Sequence, residues 1–223
     1  MTNTNNTQRI ESAASVFWDA VVVGAGPAGS GAAIAMAQAG AKVLLVANSP
    51  FPRWKVCGCC LNQNAQATLK TLGLPLLLSD NGAVHVHALA LAARGRQARI
   101  PLPAYRALSR DRFDMLLAQA ADANGATFLS GVAAAAAGSS EDHREITLTT
   151  GGHSVQVRTR IVVAADGLGG RLLRPSDAIA SDPSPGSRIG AGATCDVVPP
   201  WCEHGVIHMA CGKGGYVGLT LQE

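Results

Sequence analysis

The stretch that decides the fold is Ala20-Val-Val-Val-Gly-Ala-Gly-Pro-Ala-Gly29, which continues as SGAAIAMAQAGAKVLLV over residues 30–46. Its β-branched start predicts a strand that is buried on both faces. The small and apolar residues from Pro27 to Ala39 predict a helix with proline in its first turn, and Gly40 stands where a left-handed C-terminal cap belongs. Lys42 to Val46 predicts a second buried strand. This order indicates a right-handed βαβ unit of a parallel sheet.

The glycines of this stretch have the G-x-G-x-x-G spacing of a dinucleotide-binding turn. Gly24 allows the tight turn after the strand, Gly26 lets the backbone approach a pyrophosphate, and Gly29 lets the helix pack closely on the sheet. Pro27 and Ala28 complete the loop at the helix start, where free N–H groups and the helix dipole favour a phosphate. Because the turn lies between a buried strand and a helix, we interpret it as a nucleotide site rather than an ordinary glycine-rich turn.

Composition excludes several classes of protein. The chain has 223 residues, of which 48% are hydrophobic and 15% charged, so it is not intrinsically disordered. Its net charge of +3 comes without a Lys/Arg cluster and with 4% aromatic residues, which argues against a nucleic-acid partner. The nearly uncharged stretch 20–41 is interrupted by glycines and a proline, so no transmembrane segment is predicted. Six cysteines without a secretory signal favour reduced thiols and a cytoplasmic location.

Three further segments carry a family resemblance. They are Phe51-Pro-Arg-Trp-Lys-Val-Cys-Gly58, the predicted helix start Ser109-Arg-Asp-Arg-Phe-Asp114, and Val163-Ala-Ala-Asp-Gly167 at the end of another predicted strand. Together with the glycine turn they resemble the FAD-dependent oxidoreductases that include geranylgeranyl reductases, flavin-dependent halogenases and aromatic hydroxylases. The resemblance implies an α/β fold, with a Rossmann-like FAD-binding domain that has a βαβ unit and a β-meander, and the start of a substrate-domain β-sheet.

The resemblance also assigns cofactor-binding residues. It implies that Cys57-Gly58 approaches the flavin ring, that Arg110 projects toward the cofactor, and that Asp166-Gly167 accepts hydrogen bonds from a ribitol or ribose hydroxyl. Arg53 follows the second strand, where a guanidinium could neutralise a pyrophosphate or stack on a flat ring. The alternatives stay open: Arg53 and Arg110 as surface arginines, and Asp166-Gly167 as an ordinary strand-end turn.

The expected domain organisation has three parts. Residues 1–18 are predicted to be a disordered lead-in, residues 19–175 an FAD-binding domain with inserted strands, and residues 186–223 a partial substrate domain. The polar connection at 174–188 is the expected boundary. The family's later Gly-Asp segment does not occur before Glu223, so an incomplete chain is expected.

Several residues do not match the sequence patterns of common binding and catalytic sites. The dinucleotide-binding fingerprint has an acidic residue at the end of the second strand, which binds the adenosine ribose, and this sequence has Ala47 there. Cys57, Cys59 and Cys60 lack metal-ligand spacing, so no metal site is predicted. His204 and His208 are the neutral-pH candidates for proton transfer, but neither is assigned a catalytic role.

The function predicted from these residues is that of an FAD-dependent oxidoreductase of reductase or monooxygenase type. Its expected partners are a small-molecule substrate, with an apolar one as an option, and reduced nicotinamide or another electron donor. One alternative is a non-catalytic nucleotide-binding remnant. Another is an NAD(P)-dependent Rossmann dehydrogenase, in which Asp166-Gly167 would have no role.

Overall fold

The structure is a computed structural model that describes residues 3–170, 172, 184, 186–187 and 189–223. Within these residues the helices are α1 (Asn3–Ala14), α2 (Pro27–Gln38), α3 (Gln63–Thr71) and α4 (Arg110–Ala123). The strands are β1 (Phe17–Val23), β2 (Val43–Ala47), β3 (Cys60–Leu61), β4 (Val84–Ala93), β5 (Arg96–Ala107), β6 (Thr127–Ser130), β7 (Ala133–Ser139), β8 (Arg144–Thr150), β9 (His153–Ala164), β10 (Val206–Cys211) and β11 (Tyr216–Leu219). The chain divides into two compact units, Met1–Arg53 with Asp114–Arg188, and Trp54–Phe113 with Ile189–Glu223.

The first unit contains a six-stranded sheet in the order β6-β2-β1-β9-β8-β7. Strand β1 pairs in parallel with β2 and with β9, and β2 pairs in parallel with β6. The other edge is an antiparallel meander of β9, β8 and β7. The predicted α/β fold, with a βαβ unit and a β-meander, is therefore confirmed.

A two-residue glycine turn sets the register of the meander. Thr150 pairs with His153, and the intervening Gly151 and Gly152 both have positive φ, as a tight hairpin turn between twisted strands requires. The strand that follows is continuous from His153 to Ala164. Ile161, near its end, is 52% exposed.

The prediction that residues 1–18 are disordered is wrong for residues 3–18, most of which belong to helix α1 and the start of β1. Helix α1 packs against β9, β8 and β6, and its Ile10 side chain is fully buried. The indole Nε1 of Trp18, on β1, donates a hydrogen bond to the Ala13 carbonyl at 2.9 Å. Burial of an isoleucine side chain contributes about 2 kcal/mol. The apolar face of α1 is narrow, since Ile10 and Ala13 lie three residues apart on one side of the helix. The polar composition of the segment therefore gave no indication of it.

The second unit contains a five-stranded sheet in the order β11-β10-β4-β5-β3. Strand β10 pairs in parallel with β4, so the residues after 205 join a sheet whose long strands come much earlier in the chain. The division of the structure therefore differs from the predicted domains, because the second unit also includes Trp54–Phe113. Residues 189–195 are irregular. Most of the predicted boundary at 174–188 lies outside the described residues.

Among the residues described, no helix combines the length and the apolar character needed to span a membrane.

Candidate functional site

Two glycines of the turn after β1 are required by the packing of the protein itself. Gly24 has a φ of +107°, and a Cβ atom there would lie 2.2 Å from the Ala165 carbonyl oxygen. A Cβ atom on Gly29 would lie 1.8 Å from the Gly24 carbonyl oxygen. Both distances are far inside van der Waals contact, so a side chain at Gly24 would push the turn away from Ala165, and one at Gly29 would push α2 away from the turn.

Gly26 differs from these two glycines. Its φ of −85° and ψ of −174° suit any residue. Within the described residues a Cβ atom there would meet only Arg53 Nη2, at an ordinary contact distance of 3.7 Å. Neither the backbone nor the surrounding protein demands glycine, so the open space beside Gly26 fits a ligand that approaches the backbone closely.

The start of α2 offers hydrogen-bond donors to such a ligand. Gly26 is the N-cap residue and makes no side-chain cap, while Pro27 and Ala28 are exposed. The first N–H groups of an α-helix have no acceptor within the helix, and the helix dipole makes this end positive. Ser30, in the same turn, has a fully buried hydroxyl without a hydrogen-bond partner in the described part of the chain. The donor set therefore fits an anion such as a pyrophosphate.

Arg53 lies beside this turn and is held in place by the first unit. Its Nη2 is 3.1 Å from Oδ2 of Asp114, whose side chain is fully buried. Its Cζ lies 5.0 Å from the centre of the Phe51 ring, a cation–π distance. The Arg53 side chain is only 19% exposed, so it is not a solvated loop arginine. Sequence reasoning placed Asp114 on a helix start but missed that it anchors Arg53.

Substitution of Arg53 tests this anchoring. Because Arg53→Met removes a cation from beside a fully buried carboxylate, we expect it to lower the free energy of unfolding by about 3 kcal/mol. Arg53→Lys keeps the charge and should cost less. Urea unfolding of the cofactor-free chains measures both. An unchanged midpoint for Arg53→Met would show that the ion pair contributes nothing to the fold.

Asp166 and Gly167 lie against the same glycine turn. A Cβ atom on Gly24 would lie 2.9 Å from the Asp166 Cα atom, and Gly167 has a φ of +81°. Oδ2 of Asp166 accepts the backbone N–H of Leu172 at 2.9 Å. A carboxylate has about four acceptor positions, so this structural hydrogen bond leaves capacity for a ligand hydroxyl.

Ala47 ends β2 at the same edge of the sheet. The preceding pair, Val23 and Val46, lie opposite one another, and Gly24 donates its N–H to the Val46 carbonyl at 2.8 Å. The structure thus brings Ala47, the glycine turn and Asp166 to the carboxyl ends of neighbouring parallel strands, the edge where open α/β sheets bind ligands.

The remaining predicted residues, Cys57, Gly58 and Arg110, belong to the second unit. There Cys57 forms hydrogen bonds with Cys59 and Arg110. The hydrogen bond from the Cys59 side chain lowers the pKa of Cys57 to about 5, burial opposes this shift, and the Arg110 guanidinium adds to it. The same contact with Cys57, together with burial, raises the pKa of Cys59. Burial also raises the pKa of Cys60.

His208, a candidate for proton transfer, and the histidines of β4 make local contacts. His208 Nε2 accepts the backbone N–H of Glu203 at 3.0 Å, and its ring packs edge-on against Trp201 at 5.4 Å. The rings of His85 and His87 stack at 6.3 Å on one side of β4. In the described residues no three His, Cys, Asp or Glu side chains are grouped so that they could hold a metal ion.

A sheet whose parallel strands carry a glycine turn, a held arginine and an Asp-Gly turn at their carboxyl ends defines a dinucleotide-binding α/β protein. Residues 18–181 match the FAD binding domain family, and the chain belongs to that family. The predicted flavoprotein class and the predicted cofactor, FAD, are thereby confirmed.

Curated relatives cover part of the chain. This chain is 36% identical over 155 residues to a menaquinone reductase of Mycobacterium tuberculosis (strain CDC 1551 / Oshkosh). The matched region covers 67% of this chain and 37% of the relative. The chain is 44% identical over 85 residues to a menaquinone reductase of Mycolicibacterium smegmatis, or 38% of this chain and 20% of the relative. The chain thus spans well under half the length of these relatives.

Solved structures share the fold. A flavoprotein/dehydrogenase from Cytophaga hutchinsonii has a TM-score of 0.65 at 23% identity and covers 71% of this chain and 41% of its own. A triple mutant of a flavin-dependent brominase has a TM-score of 0.63 at 25% identity, with the same coverage. A flavin-dependent monooxygenase, solved with FAD and substrate, has a TM-score of 0.64 at 21% identity and covers 71% of this chain and 32% of its own.

Proposed function

We propose that this chain forms the FAD-binding part of an FAD-dependent oxidoreductase. The observation that carries the proposal is Gly26, whose glycine identity has no explanation in the described protein but fits the close approach of a pyrophosphate. Gly24 and Gly29, by contrast, are explained by packing. Belonging to the FAD binding domain family identifies the nucleotide.

The residues of the first unit have distinct parts in binding. The N–H groups at the start of α2 donate to the pyrophosphate, and Arg53 places a positive charge beside it. Asp166 accepts a hydrogen bond from a hydroxyl of the ribitol or ribose. When bound, FAD would supply the hydride or electron transfer. Arg110 and Cys57-Gly58 remain predicted cofactor contacts.

For the reaction, we infer a reductase that acts on a small apolar quinone. The support is the 36% identity to a menaquinone reductase over 155 residues. Reduced nicotinamide as electron donor and a cytoplasmic location remain predictions. Saturable retention of a naphthoquinone by the FAD-loaded chain in equilibrium dialysis would support the reductase, whereas retention of a phenol but no quinone would favour the monooxygenase type.

Thermal protection separates FAD from the nicotinamide nucleotides. Since a ligand that binds only the native state stabilises it by mass action, FAD at a hundred times its Kd should add about 2.7 kcal/mol. Equal NAD or NADP should leave the unfolding midpoint near that of the free chain. Protection by NADP without protection by FAD would favour the dehydrogenase alternative. Absence of protection by all three would favour the non-catalytic remnant.

A further inference from the structure

Three reduced cysteines lie within four residues of the second unit. Cys57 is exposed, Cys59 is buried and Cys60 is half-buried. Cys59 Sγ donates a hydrogen bond to the Cys57 carbonyl oxygen at 3.6 Å, and the two side chains influence each other's ionisation. An accessible thiol therefore lies beside a second thiol that solvent scarcely reaches.

This thiol pair faces a small recess with positive side chains. The recess has a volume of about 40 Å³, and Lys55, Arg110 and Asp111 line it together with Cys57 and Cys59. Arg110 also hydrogen-bonds to Cys57. A cavity needs about 10 to 15 Å³ to hold one water molecule. The recess is thus large enough for a molecule of a few atoms and too small for a nucleotide ring.

We propose that Cys57 and Cys59 are a redox site that a hydroperoxide oxidises to a disulfide, with Cys57 as the attacking thiolate. The Cys-Gly-Cys spacing permits the bond. Two consecutive Cα–Cα steps of about 3.8 Å place the Cα atoms of the two cysteines about 5 to 7 Å apart, which overlaps the range of about 4.4 to 6.8 Å found in disulfides. Gly58, between the two cysteines, has no Cβ atom that could obstruct disulfide formation. A Cβ atom placed there would meet no other atom within 4 Å.

The reaction has two steps. First, the Cys57 thiolate attacks a peroxide oxygen; the S–O bond forms, the O–O bond breaks, and the leaving oxygen takes a proton to give water from hydrogen peroxide. Next, the Cys59 sulfur attacks the Cys57 sulfenic acid; the S–S bond forms and the S–O bond breaks. The departing hydroxide takes the Cys59 proton and leaves as a second water. Two thiols lose two electrons, and the peroxide gains them.

The charges around Cys57 favour its role as attacking group. Its lowered pKa means that it is largely ionised at pH 5.5, where an ordinary thiol is about 0.1% thiolate. Arg110 and Lys55 are the cations at the recess, Asp111 is the opposing carboxylate, and Cys59 and Cys60 are the other titratable groups nearby. The raised pKa of Cys59 keeps it protonated, and its thiol donates to the Cys57 carbonyl oxygen at 3.6 Å.

Thiol exchange at low pH tests the reactivity of Cys57. At pH 5.5 a thiol with a pKa of 5 has a thiolate fraction several hundredfold higher than a thiol with a pKa of 8.5. Because the less basic thiolate is also a weaker nucleophile, the rate advantage is smaller by about fortyfold. We therefore expect Cys57 to react with 4,4′-dithiodipyridine on the order of twentyfold faster than Cys195, an exposed cysteine outside the cluster. Arg110→Met should slow Cys57 but not Cys195. Equal rates at the two cysteines would overturn the proposal.

Oxidation by hydrogen peroxide tests the disulfide. Mass spectrometry of the parent chain should show the loss of two hydrogens and a Cys57–Cys59 link on peptide mapping. In Cys59→Ser, Cys57 should accumulate as a sulfenic acid that dimedone traps, and Cys57→Ser should form neither product. Cys195→Ser should behave as the parent. A different pairing, or oxidation at Cys195 before Cys57, would overturn the proposal. Cys57 and Cys195 are exposed, and serine is close in size to the buried Cys59, so the variants are expected to fold. Thermal unfolding checks this.

Discussion

Gly26→Val should weaken FAD binding by more than about a hundredfold, equivalent to about 2.7 kcal/mol, while the free chain keeps its fold. The valine side chain would occupy the open space beside Arg53 that we assign to the pyrophosphate. Its Cβ atom would meet only Arg53 Nη2, at an ordinary contact distance of 3.7 Å, so we expect the protein itself to tolerate the change. The less suitable N-cap residue should cost about 1 kcal/mol of stability. Flavin fluorescence titration measures the affinity, and thermal unfolding the stability.

The other glycines provide matched controls. Gly29→Ala adds a single methyl group, yet its Cβ atom would lie 1.8 Å from the Gly24 carbonyl oxygen, so we expect it to destabilise the free chain strongly. Gly214→Val is the same substitution at an exposed position where φ is not positive and an added Cβ atom would meet no atom within 4 Å. It should change neither the affinity for FAD nor the stability of the free chain. If Gly26→Val bound FAD as well as Gly214→Val, the proposed site would be wrong.

The contrast among these glycines shows how far sequence reasoning reached. The strand, turn and helix from β1 to β2 were predictable because each signal is local: a β-branched run, glycines at fixed spacing and proline in the first turn. The spacing also gave Gly24 and Gly29 their packing roles. The open space beside Gly26 could not be predicted from local sequence, because it is bounded by Arg53, 27 positions along the chain.

Long-range pairing was the part that sequence could not supply. Val206 of β10 lies opposite Ala88 of β4, and nothing in either short run specifies that partner. The expected domain division therefore followed chain order and left Trp54–Phe113 with the first domain. The Arg53–Asp114 ion pair was missed for the same reason, since the two residues come from separate segments whose contact depends on the tertiary fold.

Ala47→Glu should tighten FAD binding by about ten- to a hundredfold. Ala47 stands at the strand end where the dinucleotide fingerprint has a carboxylate for the adenosine ribose. A hydrogen bond to a charged group contributes about 1.5 to 3 kcal/mol, and each 1.4 kcal/mol is about tenfold in affinity. Because Ala47 is only 3% exposed, the carboxylate should lower the stability of the free chain, and FAD should restore it. Fluorescence titration and thermal unfolding, each with and without FAD, give the two effects.

The charge of the new side chain can be separated from its size by Ala47→Gln, which has nearly the same shape without the negative charge. Its gain in affinity should be smaller, since neutral hydrogen bonds contribute about 0.5 to 1.5 kcal/mol. In the double variant Gly26→Val with Ala47→Glu, the lost pyrophosphate contact should remove the benefit, because both contacts belong to one bound nucleotide. If Ala47→Glu gained nothing and Gly26→Val lost nothing, the nucleotide would not lie on this turn, and the non-catalytic alternative would take precedence.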